Sequence, residues 1–143
     1  MIETSVDSAG DMLKLGAQYA RSAKSGDVFG LIGTLGTGKT HWTKGFVQAM
    51  NPDTLVSSPT FSIINEYTEG ACKVFHFDFY RLNTEQELLS IGWEEYLDES
   101  GIIICEWADL FLNLMPENTI WLELSHQSEC SRIVRQVSKP VEA

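Results

Sequence analysis

Between Leu82 and Ser131 the chain has no lysine and no arginine, against eleven acids. Over all 143 residues, 20 acidic and 10 basic side chains leave a formal charge of −10. Phosphate backbones are held through Lys and Arg, so direct bulk binding of nucleic acid is not expected. Cysteine is equally sparse. Cys72, Cys105 and Cys130 are odd in number, far apart, and form no CxxC or Cys/His cluster, so neither a disulfide framework nor a zinc site fits. No apolar run approaches the ~20 residues of a membrane span, and no basic start followed by an apolar stretch suggests a signal peptide. Internal repeats and low-complexity segments are also missing. These absences lead to the expectation of a reduced, cytoplasmic protein without a membrane partner. What is present, 43% apolar and 21% charged residues, suffices for a packed core, and 143 residues make one domain, 1–143.

Periodicity gives a coarse layout. Asp11 to Lys24 reads as a helix with Leu13, Ala17 and Ala20 inward, joined by Leu15 and Ala23, and Ser25-Gly26-Asp27 ends it. Val28–Ile32 is short and apolar, as a buried strand requires. A glycine-rich turn follows over 33–38, then a helix from Lys39 to about Met50, stopped by Asn51-Pro52. Phe61–Tyr67 and Lys73–Tyr80, separated by Glu69-Gly70, form a β-hairpin pattern. In the second of these, Val74, His76, Asp78 and Tyr80 share one face and Phe75, Phe77 and Phe79 the other. The aromatic set, with Phe61, reads as core rather than a base-stacking platform, because no basic residues interleave. Thr84 with Glu87 opens a helix to about Leu97 in a capping-box pattern. Ile102–Cys105 is a second buried strand ending at Glu106, and Thr119–Leu124 and Ile133–Val137 close the chain as strands. The mixture is α/β.

Gly33-Thr34-Leu35-Gly36-Thr37-Gly38-Lys39-Thr40 matches GxxxxGK[ST] in full. Glycines let backbone N–H groups curl around a phosphate, and the helix that starts there adds a partial positive charge. Lys39 is the group to reach the terminal phosphates, and the Thr40 hydroxyl is a Mg²⁺ ligand of the right type. A nucleotide-hydrolysing site also needs carboxylates, one for the metal and one to orient water. Glu106 ends an apolar strand, where an open α/β sheet turns toward its ligand; the plain alternative is a surface acid capping a strand. Asp78 stands in an aromatic strand, out of place unless it serves something; the alternative is the exposed face of a hairpin. His76 reads as a half-buried strand histidine and His41, next to the loop, as positional.

Other loop-bearing enzymes fit less well. An NKxD guanine-reading sequence is missing, and Asp98-Glu-Ser-Gly101 matches DxxG ahead of a strand rather than after one. Small-molecule kinases of this loop class close an arginine-bearing lid, which the base-free stretch cannot supply. Arg81, Arg132 and Arg135 are the cations left to stabilise a transferring phosphate. A sparse ATPase site that a partner completes is the reading that remains. Its rivals are a small-metabolite phosphotransferase and a nucleotide-gated binding module with incidental hydrolysis.

In combination, GTLGTGKT at 33–40, SSPTFSIINEY at 57–67, FHFDFYRL at 75–82, ELLSIGWEEYL at 87–97 and IIICEW at 102–107 resemble the TsaE (YjeE) family over about residues 8–135. These are small P-loop ATPases of tRNA threonylcarbamoyladenosine synthesis. The resemblance implies a P-loop NTPase-like α/β domain with a central, mostly parallel sheet, a β-hairpin extension and flanking helices. It implies ATP and Mg²⁺ as cofactors and a TsaD–TsaB complex as partner. It assigns Lys39 and Thr40 to phosphate and magnesium, Asp78 to magnesium, Glu106 to the metal or the attacking water, and Thr60 to a loop sensing the γ-phosphate. Trp107 is the family tryptophan. Gly33, Leu35, Gly36, Thr37, Gly38 and His41 then belong to the nucleotide loop. Arg132 and the start of the first helix are candidates for the adenine end. The sequence differs from the family pattern at Thr34, Thr37, His41-Trp42 and Ala108-Asp109-Leu110, and none of these differences removes a phosphate or metal group.

Overall fold

The computed structural model describes residues 2–34, 36–52, 54–56, 63–70 and 72–140. Its centre is a seven-stranded sheet in the order β1-β7-β6-β2-β5-β4-β3. The strands are β1 (Glu3–Val6), β2 (Val28–Ile32), β3 (Ile64–Tyr67), β4 (Val74–Asp78), β5 (Ile102–Glu106), β6 (Ile120–His126) and β7 (Arg132–Val137). The four central strands, β6, β2, β5 and β4, pair in parallel. The outer pairings β1–β7, β7–β6 and β3–β4 are antiparallel, so five strands share one direction and the sheet is mostly parallel, as expected. Every residue of β2 and β5 is buried. That is why both read as unbroken apolar runs rather than alternating ones.

Helices cover both faces. On one, α1 (Ala9–Ser22) and α2 (Lys39–Met50) close over Phe29, Leu31, Ile102, Ile104, Leu122 and Leu124. On the other, α3 (Glu85–Ser90), α4 (Trp93–Asp98) and the 3₁₀ segment Ala108–Leu114 pack on Phe75, Phe77, Phe79, Ile103 and Cys105. The phenylalanines of β4 are therefore core, and the hairpin forms with Ile64 opposite Phe77. Phe61 and the first part of the expected strand Phe61–Tyr67 lie outside the described residues.

Several expectations need correction. β1, unrecognised in the sequence, is a four-residue edge strand held to β7 by Arg135, whose Nε lies 2.7 Å from a Glu3 carboxylate oxygen. It is too short and too polar to show a period. The buried face of α1 is Met12, Leu15, Gly16 and Ala20, with Leu13 and Ala17 only half-buried. The helix expected over Thr84–Leu97 is two helices. Thr84 and Glu87 do form the capping box, but the first helix stops at Ile91 and Gly92 takes a left-handed φ of 98°. The break lets Trp93 turn into the core, where its Nε1 donates to the Leu114 carbonyl at 2.9 Å and its ring meets Phe77 and Phe79 edge-on. The strand expected to reach Tyr80 ends at Asp78. There the Asp78 side chain accepts from the Tyr80 N–H and starts a 3₁₀ turn, Phe79–Arg81.

Candidate functional site

Parallel pairing brings the chemistry-bearing residues to one end of the sheet. β2 runs straight into the glycine loop and then α2. β5 lies beside β2 with Glu106 opposite Leu31, and β4 lies beside β5 with Asp78 opposite Glu106. Paired residues of neighbouring parallel strands point to the same face, so both carboxylates stand level, on the face that α2 covers. This is the strand-end crevice where open α/β sheets bind ligands.

The loop has little freedom. A side chain at Gly33 would put its Cβ 2.3 Å from the Leu124 carbonyl oxygen, at a φ of 151°, and only glycine tolerates both. Lys39 is 5% exposed. Its Nζ donates to the carbonyls of Gly33 (2.6 Å) and Thr34 (2.9 Å) and sits 4.4 Å from the centre of the Trp107 ring. Burial holds the Lys39 ammonium below the ordinary lysine range, while Glu106, Asp78 and Asp109 draw it back up. Thr37 is buried, and its hydroxyl donates to the Thr34 carbonyl at 2.8 Å. At the first turn of α2 the Thr40 hydroxyl lies 3.3 Å and 3.4 Å from the two Glu106 carboxylate oxygens. Glu106 itself is only 4% exposed. Asp78 is half-buried, and burial pushes its carboxyl up; the Tyr80 N–H opposes this, Glu106 adds to it, and His76 and Arg81 offset it.

A cavity of about 380 Å³ opens over the loop. Gly36 to His41, Glu106 and Trp107 line it together with Ser8, Met12, Cys130 and Arg132. The first-helix start and Arg132, both suspected from the sequence, thus line one cavity with the loop. Arg132 is anchored there, its Nε on the Gly36 carbonyl at 3.2 Å and its Nη1 on the carbonyls of Ser128, Glu129 and Ser131. Arg135 is engaged with Glu3 and Glu123 on the sheet edge instead. Trp107 is the one non-glycine residue with positive φ among those described (59°), a conformation that lays its ring against Tyr80, with centroids 4.8 Å apart. Leu35 and Thr60 lie outside the described residues.

His76 was the residue the sequence undervalued. It is wholly buried, and its Nε2 is 2.6 Å from Glu106 Oε2. Alternation along β4 put it on the Asp78 face, but nothing in the sequence placed β5 next to β4 and so brought Glu106 within reach.

The donor set suits a hard divalent ion. Among the described residues no group of three or more His, Cys, Asp or Glu side chains could hold a metal alone. Magnesium, however, binds through one or two carboxylates plus substrate phosphates, and Thr40, Glu106 and Asp78 offer oxygen only. The glycine cradle beside them suits the phosphates. Among the described residues no helix is long and apolar enough to cross a membrane.

The family model described as "Threonylcarbamoyl adenosine biosynthesis protein TsaE" matches residues 6–135. The tRNA threonylcarbamoyladenosine biosynthesis protein TsaE of Bacillus subtilis is 38% identical over 113 residues, 79% of this chain and 70% of that protein. The Nostoc protein of the same name is 36% identical over 123 residues, 84% and 75% of the two chains. That of Haemophilus influenzae is 32% identical over 103 residues, 72% of this chain and 65% of its own length. The crystal structure of Bacillus subtilis YdiB superposes with a TM-score of 0.80 at 27% identity, covering 97% of this chain and 86% of that one.

Proposed function

The chain belongs to the TsaE family of tRNA threonylcarbamoyladenosine biosynthesis, and from that premise we propose that it binds Mg-ATP in the 33–40 loop and hydrolyses it slowly, in support of tRNA modification by a TsaD–TsaB complex. The observation that carries this reading is the meeting of three groups at one strand end: the Thr40 hydroxyl, the Glu106 carboxylate 3.3 Å away, and Asp78 level with Glu106 on the next strand.

The residues divide the work by position. Backbone N–H groups of the loop and the start of α2 take the phosphates, and the helix dipole favours their charge. Lys39, largely shielded from water, neutralises the β- and γ-phosphate oxygens at the strength a low-dielectric site allows. Thr40 and Asp78 would hold Mg²⁺, which would offset charge on the phosphates. Glu106 orients water or supports the metal from the buried end of the crevice. Trp107 shields Lys39 from solvent on its outer side. The part of the cavity lined by Met12 and Arg132 would take the nucleoside.

With few cations near the crevice and no Lys or Arg from Leu82 to Ser131, turnover by the chain alone is slow, and partner proteins complete the site and carry the tRNA. Lys39→Ala removes ATP binding in a calorimetric titration; ordinary affinity in that variant sinks the site assignment. ATP hydrolysis measured with and without purified TsaD and TsaB tests the partner, since a rate unchanged by them contradicts it.

A further inference from the structure

The least explained contact in the crevice is the one behind it. His76 lies one face-repeat before Asp78 on β4, opposite Ile104, and is 0% exposed. Its Nε2 is 2.6 Å from Glu106 Oε2. A carboxylate only accepts, so the Nε2–H donates. The other ring nitrogen, Nδ1, is buried and has no hydrogen-bond partner among the described residues. A core that only needed filling at this position would be served better by leucine or phenylalanine, because an unpaired buried nitrogen is costly. The imidazole is therefore kept for its single bond, and that bond goes to a group whose oxygens also lie against Thr40.

The geometry points to His76 as a positioning residue for ATP hydrolysis: its Nε2–H fixes the Glu106 carboxylate against the Thr40 hydroxyl, so that the side chain cannot rotate out of the crevice. This rests on the proposed ATPase function. His76 lines neither the loop nor the cavity, and it acts only through Glu106. Without it, Glu106 keeps only the longer contacts to Thr40 among the described residues, and a carboxylate on a side chain with three rotatable bonds spends less time where water or metal needs it.

The test uses the full-length chain and compares His76→Gln with His76→Asn and His76→Leu. The glutamine amide nitrogen reaches the position of Nε2, whereas the asparagine amide falls short of it. His76→Asn and His76→Leu are expected to lower kcat about 100-fold while leaving KM and the calorimetric affinity for ATP within about threefold, with His76→Gln recovering kcat to within about tenfold of the wild type. Crystals of His76→Leu should show the Glu106 carboxylate turned away from Thr40. Equal kcat for the glutamine and asparagine variants overturns the assignment, as does a loss of ATP affinity in step with kcat, which marks a structural role. If His76→Leu fails to fold, the glutamine–asparagine comparison decides. A wild type that binds no ATP sinks the functional reading itself, whereas a wild type with normal turnover matched by His76→Asn sinks only the role of His76.

Discussion

Gly33→Ala separates a steric account of the loop from a merely compositional one. The new Cβ would stand 2.3 Å from the Leu124 carbonyl oxygen and 2.9 Å from the Thr37 hydroxyl oxygen. Contacts to a Cβ below 3.0 Å are essentially never seen, so the loop must retreat by about 0.7 Å or more. Leu124 is a hydrogen-bonded member of β6, paired to Val134, and cannot yield easily. Positive φ adds about 1–2 kcal/mol for a non-glycine residue, and overpacking about 1–3 kcal/mol. Together these amount to about 2–5 kcal/mol, or roughly 6–15 °C in Tm for a chain of this length. The displaced atom is also the Gly33 carbonyl that holds Lys39 at 2.6 Å. A misplacement approaching 1 Å at a reacting group costs on the order of 100-fold, and ATP affinity and turnover should fall by that order. Gly26→Ala is the control: φ is 96°, but among the described residues nothing lies within 4 Å of its Cβ, so it pays the backbone term alone, about 1–2 kcal/mol. Gly36→Ala is the intermediate case inside the loop, with φ 78° and a nearest contact of 3.9 Å. Thermal melts and calorimetric titration of Mg-ATP read all three. Gly33→Ala that melts no lower than Gly26→Ala and binds ATP as the wild type does would falsify the steric argument.

Asp78→Asn should stabilise the fold while removing hydrolysis. Burial raises the Asp78 carboxyl above 3.8, so the folded chain binds that proton more tightly than the unfolded one, and stability falls as pH rises from 3.8 through the folded value. Asparagine keeps an oxygen for the Tyr80 N–H without the charge. Its Tm should exceed the wild type's at pH 7 and the gap should close as pH falls toward 4; a wild type that melts higher at pH 7 contradicts this. Trp93→Ala opens a hole between Phe77 and Phe79 and leaves the Leu114 carbonyl without its donor. The expected cost is about 3–5 kcal/mol, and a differential-scanning melt within about 3 °C of the wild type would show that the packing of that layer is looser than its ring geometry implies.

How much of this was legible in the sequence follows from the range of each interaction. The loop, its strand and its helix are contiguous, so Gly33 to Thr40 spelled out a phosphate cradle with no knowledge of the fold. The buried strands were legible because both β2 and β5 are apolar on both faces. Asp78 and Glu106 stood out as acids against apolar or aromatic runs. What stayed hidden depended on which strand lies beside which. The order β2-β5-β4 alone makes Asp78 and Glu106 neighbours, and no local pattern carries strand order. The split at Gly92 was hidden for a related reason. A capping box, helical spacing and one tolerable glycine read as a single helix, and only the pull of Trp93 toward Phe77 and Phe79 makes the break favourable.

His76 combines the two cases and shows what a sequence reading leaves out. Its face was legible by alternation, and that same alternation made it look like an ordinary strand histidine beside Asp78. Burial changes its meaning: a fully enclosed imidazole with one short bond and, among the described residues, no partner for its other nitrogen lowers stability relative to an apolar residue and is rational only through the carboxylate it touches. That carboxylate belongs to another strand, 30 positions on, and became its neighbour only because a parallel pairing set Ile104 opposite His76 and Glu106 opposite Asp78. Local rules are broken in this molecule where long-range pairing supplies a reason, and the breaks cluster at the strand ends around the loop: an acid closing β4, an acid closing β5, a positive-φ tryptophan after it, and a buried histidine behind them. Their concentration at one crevice is what the proposed function would require of the residues around the loop.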